Sequence, residues 1–173
     1  MKKLGLIFLT VFIVASSCCN KEEKKTGTFK KFFNNGETEG SWLNTNTLKE
    51  GPAFSGTKSA QVDSLTEYGF GFRDTLKNVG DNIPLKISAN AMIMRPTEID
   101  DATLVVSVDR GDKNLLWQGT SLKGFAPKPN EWSKLSVQYN LPKDLQATDK
   151  IAVYLWNKDK RKIYMDNFEV LFE

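Results

Sequence analysis

Leu85-Lys86-Ile87-Ser88-Ala89-Asn90-Ala91-Met92-Ile93-Met94 sets one apolar parity, Leu85, Ile87, Ala89, Ala91 and Ile93, against Lys86, Ser88 and Asn90. A period of two belongs to an extended strand with one face in a core and the other in water. The polar parity turns apolar at Met92 and Met94, near the end of the strand. The same alternation returns in Leu135, Val137, Tyr139 and Leu141, with Trp132, Lys134, Ser136, Gln138 and Asn140 facing away. A third stretch, residues 150–157, differs. Ile151, Val153 and Leu155 fill one side, while Ala152, Tyr154 and Trp156 occupy the other, so aromatic rings stand on the face away from the core.

Outward from these three strands, turn residues punctuate the chain and helical periodicity is nowhere sustained. Asn34-Asn35-Gly36, Val79-Gly80-Asp81-Asn82, Arg110-Gly111-Asp112-Lys113 and Pro127-Lys128-Pro129-Asn130 supply the turns. Strands are expected over 28–33, 57–64, 67–74, 84–94, 102–109, 114–121, 131–141, 150–157 and 162–172. Short strands of this spacing without a repeat predict an all-β domain, a two-sheet antiparallel β-sandwich of the jelly-roll kind, over residues 32–173.

The N-terminus carries a different signal. Met1-Lys2-Lys3 leads into the apolar run Leu4 to Val14 and then Ala15-Ser16-Ser17-Cys18. A basic start, a short apolar run and small residues form a signal peptide, 1–17, too short for the ~20 residues of a membrane-spanning helix. Small residues ending on cysteine resemble the lipobox of bacterial lipoproteins, which implies lipidation at Cys18 and a membrane anchor. Residues 18–31 are polar and charged and read as a flexible tether. Within it, Lys21-Glu22-Glu23 resembles the export signal of surface lipoproteins of Bacteroidetes, which implies an outer-membrane protein exposed at the cell surface.

Composition narrows the function. The chain has 173 residues, a formal net charge of +3, two adjacent cysteines and no histidine. Lys2 and Lys3 carry two of those three charges, and no basic stripe interleaved with aromatics points to nucleic acid. Without histidine the commonest general base and zinc ligand are missing. Asp100-Asp101 is the only tight carboxylate pair in the folded region, yet neighbours on a strand point to opposite faces and cannot act as acid and base across one bond. No phosphate loop, nucleophile elbow or zinc spacing occurs. The expectation is a protein that binds and does not catalyse.

An ordered set of short motifs carries a family resemblance. Ala53-Phe54-Ser55-Gly56-Thr57-Lys58-Ser59-Ala60, Leu104-Val105-Val106-Ser107-Val108, Glu131-Trp132, Val153-Tyr154-Leu155-Trp156-Asn157 and Ile163-Tyr164-Met165-Asp166-Asn167-Phe168 follow one another in the chain. Together they resemble the carbohydrate-binding-module and galactose-binding-like jelly rolls over residues 29–173. That resemblance implies one structural calcium ion. It nominates Asp166 as a ligand, with carbonyls near Gly56 and Lys58 and a carboxylate such as Glu37 or Glu39, since calcium takes six or more oxygens at about 2.4 Å. The chain departs from the family at the end of the first strand, where Phe33-Asn34-Asn35-Gly36-Glu37 replaces the usual Phe-Glu.

Sugar binding needs aromatic faces and planar polar groups gathered on one surface. Trp156 and Tyr154 are candidates, with Gln138 and Asn90 expected on the same sheet face. Trp132, after a turn, and Trp42, in an irregular stretch, are either platforms or parts of the rim and core. Trp117, flanked by apolar residues, is expected inside. Arg73, Arg95 and Arg110 are either hydroxyl or carboxylate contacts or solvated charges. Two roles stay open: glycan binding, and an interaction subunit holding another envelope protein.

Overall fold

A computed structural model describes residues 28–98, 102–126 and 128–173. Ten strands fall among them: β1 (Lys31–Asn34), β2 (Leu48–Glu50), β3 (Lys58–Val62), β4 (Tyr68–Thr75), β5 (Lys86–Met94), β6 (Ala102–Arg110), β7 (Lys113–Ser121), β8 (Ser133–Asn140), β9 (Lys150–Asn157) and β10 (Ile163–Phe172). All pairings are antiparallel. One sheet has the order β2-β3-β10-β5-β8, with β1 also on β10, and the other the order β4-β9-β6-β7. The expected two-sheet antiparallel sandwich is the architecture of the chain. The three-residue β2 was not anticipated, because Leu48-Lys49-Glu50 is too short to show alternation. Phe29 bridges Gly80, and Lys31 opens β1, so the ordered body takes in residues first assigned to the tether.

Between the sheets lies one core. Ile87, Ala89, Ala91 and Ile93 of β5 and Leu135 and Tyr139 of β8 face Leu104, Val106 and Val108 of β6 and Ile151, Val153 and Leu155 of β9, all buried. The inward parity is therefore the one read from the sequence, except that Leu85 precedes its strand and is exposed. The Tyr139 hydroxyl donates across the interior to Thr120 Oγ1 at 2.7 Å, which satisfies the one polar atom that this ring carries inside.

Two arginines hold loops. Arg95 is 3% exposed, and its Nε donates to the Ala126 carbonyl while a second nitrogen donates to that of Thr97. Arg110, at the end of β6, grips buried Asp149 through two nitrogens, each at 2.8 Å, and also donates to the Asp144 carbonyl. Neither is available as a ligand contact, which corrects that reading: both forks are spent on closing loops.

The Arg110 guanidinium, helped by the Gln146 N–H, holds the Asp149 carboxyl below its ordinary value of 3.8. A depressed carboxyl stabilises the fold above its unfolded pKa and gives that stability up as pH falls through the folded one. The expected result is a urea midpoint that drops as pH is lowered from neutrality to below 3.8, with a shallower drop in Asp149→Asn. Equal slopes for the two proteins would contradict the assignment.

Candidate functional site

The four-stranded sheet turns its outer face to a cleft of about 470 Å³, lined by Leu43, Asn44, Tyr68, Arg73, Ser107, Asp109, Asn114, Trp117 and Tyr154. Its shape follows from the cross-strand rows. Arg73 of β4 lies opposite Ala152 of β9, Ala152 opposite Ser107 of β6, and Ser107 opposite Trp117 of β7. Small side chains in the middle of a row, with long ones at its ends, make a trough. The next row is the reverse, Gly71, Tyr154, Val105 and Gly119, with glycine at both ends and the Tyr154 ring standing between them. A Cβ on Gly71 would lie 2.4 Å from the Val153 carbonyl oxygen, so only glycine admits this approach of β9. Beyond β4, Leu43 pairs with Gly71 through its backbone and adds a wall at the sheet edge.

Two β-bulges decide which aromatics enter the trough. In β4, Phe70 and Phe72 are buried, and regular alternation would send Tyr68 inward with them. The pairing slips there: Tyr68 lies opposite Trp156 and Gly71 opposite Tyr154, so Gly69 and Phe70 together face one residue of β9. That extra residue rotates Tyr68 to the outside. In β7, Arg110 pairs with Lys113 across the turn, and unbroken counting from there would set Trp117 opposite inward-facing Val106. The slip at Leu115 instead sets Trp117 opposite Ser107 and leaves the ring 48% exposed. The expectation that Trp117 is a core residue is corrected by this one inserted residue.

The rings brace one another. Trp117 and Trp156 meet edge to face at 5.6 Å and 85°, and Tyr68 leans on Tyr154 at 6.1 Å. Trp156 is fully engaged: its indole N–H donates to Glu67 at 3.1 Å, and the Lys158 ammonium lies 5.5 Å from its ring centre. Burial raises the Tyr154 phenol above its ordinary value of 10.0, and a hydrogen bond with the Trp117 side chain offsets part of the rise. It is therefore a neutral hydroxyl at physiological pH. The Asn44 amide donates to the Gly69 carbonyl at 2.8 Å and fixes the wall, while Asn114 donates to Asp109 at 2.8 Å.

With this geometry in place the comparisons with known proteins can be read. No family model matches the chain, and no curated protein matches it by sequence. Solved structures do. The CBM22-1 xylan-binding domain of Paenibacillus barcinonensis Xyn10C is 15% identical, with 83% of this chain and 95% of that one covered at a TM-score of 0.53. For the CBM22-2 xylan-binding domain of the same protein the figures are 12%, 82%, 99% and 0.54. The C-terminal family 22 carbohydrate binding module of Clostridium thermocellum Xyn10B gives 14%, 82%, 91% and 0.51. The chain has a carbohydrate-binding-module-like β-sandwich fold.

Not every candidate residue reaches the cleft. Tyr154 lines it and Trp156 backs it, but Asn90 and Gln138 belong to β5 and β8 of the other sheet, on the opposite outer face. The expectation that these four share a face is corrected, since matching alternation says which side of a sheet is wet and not which sheet a strand joins. Asn90 is spent on Glu169 and Ser136, and Gln138 on Ser88. Trp42 stacks on Phe70 at 5.2 Å and touches Phe72 and Phe168, so it plugs the core. Trp132 packs on Phe54 at 6.0 Å, at the rim. Cys18, Cys19, Lys21-Glu22-Glu23 and Asp100-Asp101 lie outside the described residues.

The two carboxylates nominated for calcium are already filled with donors. Asp166 is 2% exposed, and one of its oxygens accepts the N–H groups of Phe54 and Ser55 at 2.7 and 2.9 Å while the other accepts that of Asn167. Glu37 accepts the N–H groups of Thr57 and Lys58 at 2.7 and 2.8 Å, and these hold its carboxyl below the ordinary 4.5. A cation needs lone pairs, and here N–H protons face the carboxylates. Among the described residues no group of three or more acidic, cysteine or histidine side chains is gathered around a metal position. The residues as placed do not fit calcium. Instead the two acids pin the loop 51–58 at its middle and at its C-terminal end, with Gly56 at φ +67° and a Cβ there only 2.3 Å from Glu37 Oε1. The expected result is a thermal midpoint unchanged by EDTA or added calcium; a shift of several degrees on chelation would contradict this reading.

Proposed function

We propose that this protein is a membrane-anchored, non-catalytic glycan-binding lipoprotein that holds an oligosaccharide in the cleft of the four-stranded sheet. One observation carries the reading: Trp117 and Tyr68, re-aimed outward by bulges, flank a trough with a small-residue floor and with Arg73, Asp109 and Asn114 to take hydroxyls. Apolar ring faces beside planar polar groups suit the mixed C–H and hydroxyl surface of a pyranose. The fold shared with xylan-binding modules supports the same reading. Asp109 is the one carboxylate among the lining residues, whereas glycoside hydrolysis takes two flanking the bond.

The anchor is the lipid on Cys18, and two or more acyl chains suffice for stable attachment. The resemblance of Lys21-Glu22-Glu23 to a surface-export signal supports a position at the outer face of the outer membrane. Cells fed labelled palmitate should label the wild-type chain and not Cys18→Ala, and the variant should leave the membrane fraction. A glycan array probed with the full chain tests the binding role. Positive signals on a related set of plant or microbial glycans are expected. Silence across the array, with an envelope protein co-purifying, would replace the glycan with a protein partner.

A further inference from the structure

One charge on the cleft wall has no ion-pair partner among the described residues. Asp109 is held by Asn114 and lies directly across from Lys150 in the sheet register. Glu67 accepts the Trp156 N–H and faces Lys160 at 4.0 Å. Asp109 and Glu67 thus each have a partner. Arg73 is exposed on the cleft wall and forms no ion pair among the described residues. The turn beyond Trp156 runs Lys158-Asp159-Lys160-Arg161-Lys162, with Lys160 facing Glu67, Lys162 acting on Asp63 and Lys158 standing over the Trp156 ring. An exposed guanidinium without an ion pair gives that wall of the trough a positive field.

We infer that the ligand is an acidic glycan, a chain whose sugar units bear carboxylate or sulfate groups, and that Arg73 receives one such group with its two-pronged fork. The inference rests on the glycan reading of the cleft and sharpens it. Arg73 and Trp117 stand at opposite ends of one cross-strand row, about 14 Å apart at the usual strand spacing. A sugar stacked on Trp117 therefore leaves room for an acidic neighbour to reach Arg73. Carboxylate and sulfate both present paired oxygens to a guanidinium, and lysine at the same place offers only a point charge.

The test is calorimetric titration of the full chain in detergent with three probes of equal length: an oligouronate, a sulfated galacto-oligosaccharide and a neutral xylo-oligosaccharide. One of the two charged probes is expected to bind most tightly, and to weaken as salt is raised; the tighter one identifies the acidic group. Arg73→Gln should weaken that probe about tenfold and the neutral one by a clearly smaller factor, with Arg73→Lys in between. If the neutral probe binds as tightly as either charged one, or if Arg73→Gln leaves charged binding intact, the acidic-ligand inference falls and the glycan reading stands. If none of the three binds and the array is silent, both fall.

Discussion

Trp117→Ala should lower affinity for the bound oligosaccharide about thirtyfold, about 2 kcal/mol, the scale of an aromatic hot spot. The residue is half-exposed, meets Trp156 edge to face and hydrogen-bonds with Tyr154, so the unfolding free energy should move by about 1 kcal/mol. Titration calorimetry and urea denaturation separate the two quantities. Trp42→Ala supplies the opposite signature. Its indole lies among Phe70, Phe72 and Phe168, and its loss should cost about 3 kcal/mol of stability. If Trp117→Ala binds like the wild type, the trough is not where the ligand sits.

The largest effect on the fold is expected at Asp166. Alanine there strands the N–H groups of Phe54, Ser55 and Asn167 beneath the loop 51–58, and each buried donor without a partner costs about 1–3 kcal/mol. Some of the three will find water once the loop loosens, which brings the expected loss to about 3 kcal/mol. Asp166→Asn retains one carbonyl oxygen and should lose less. Urea midpoints measure the difference, and calcium should rescue neither variant. The loop does not border the trough, so oligosaccharide binding by folded Asp166→Ala should stay within about twofold of wild type.

Much of the sandwich was legible because burial on one side of a sheet writes itself as alternation. Residues 85–94 and 150–157 read correctly for that reason, apart from Leu85 just before its strand. The candidate site was legible only in part. Tyr154 and Trp156 stood out because aromatics filled the non-core parity of β9. Asn90 and Gln138 were drawn to them wrongly, since alternation is blind to which sheet a strand joins. Tyr68 and Trp117 were missed for a second reason. A single inserted residue in β4 and another in β7 reverse the parity that local sequence sets, and such an insertion shows only in the partner's register. Gly69, beside the bulge of β4, and the Arg110-Gly111-Asp112-Lys113 turn, from which the slip in β7 is counted, are the signals that mark where to look. For Asp166 the motif was legible and its partner was not: a carboxylate that a cation could use is equally one that three backbone donors can use.

The account centres on which face of the sandwich meets the ligand, and an NMR titration of the isotopically labelled chain with the best oligosaccharide from the array tests it directly. Resonances of the Trp117 indole N–H and of the Ser107, Asn114 and Ala152 amides should shift together along one binding curve, while Asn90 and Gln138 stay still. Shifts at Asn90 and Gln138 with the Trp117 indole unmoved would place the ligand on the other sheet and contradict it.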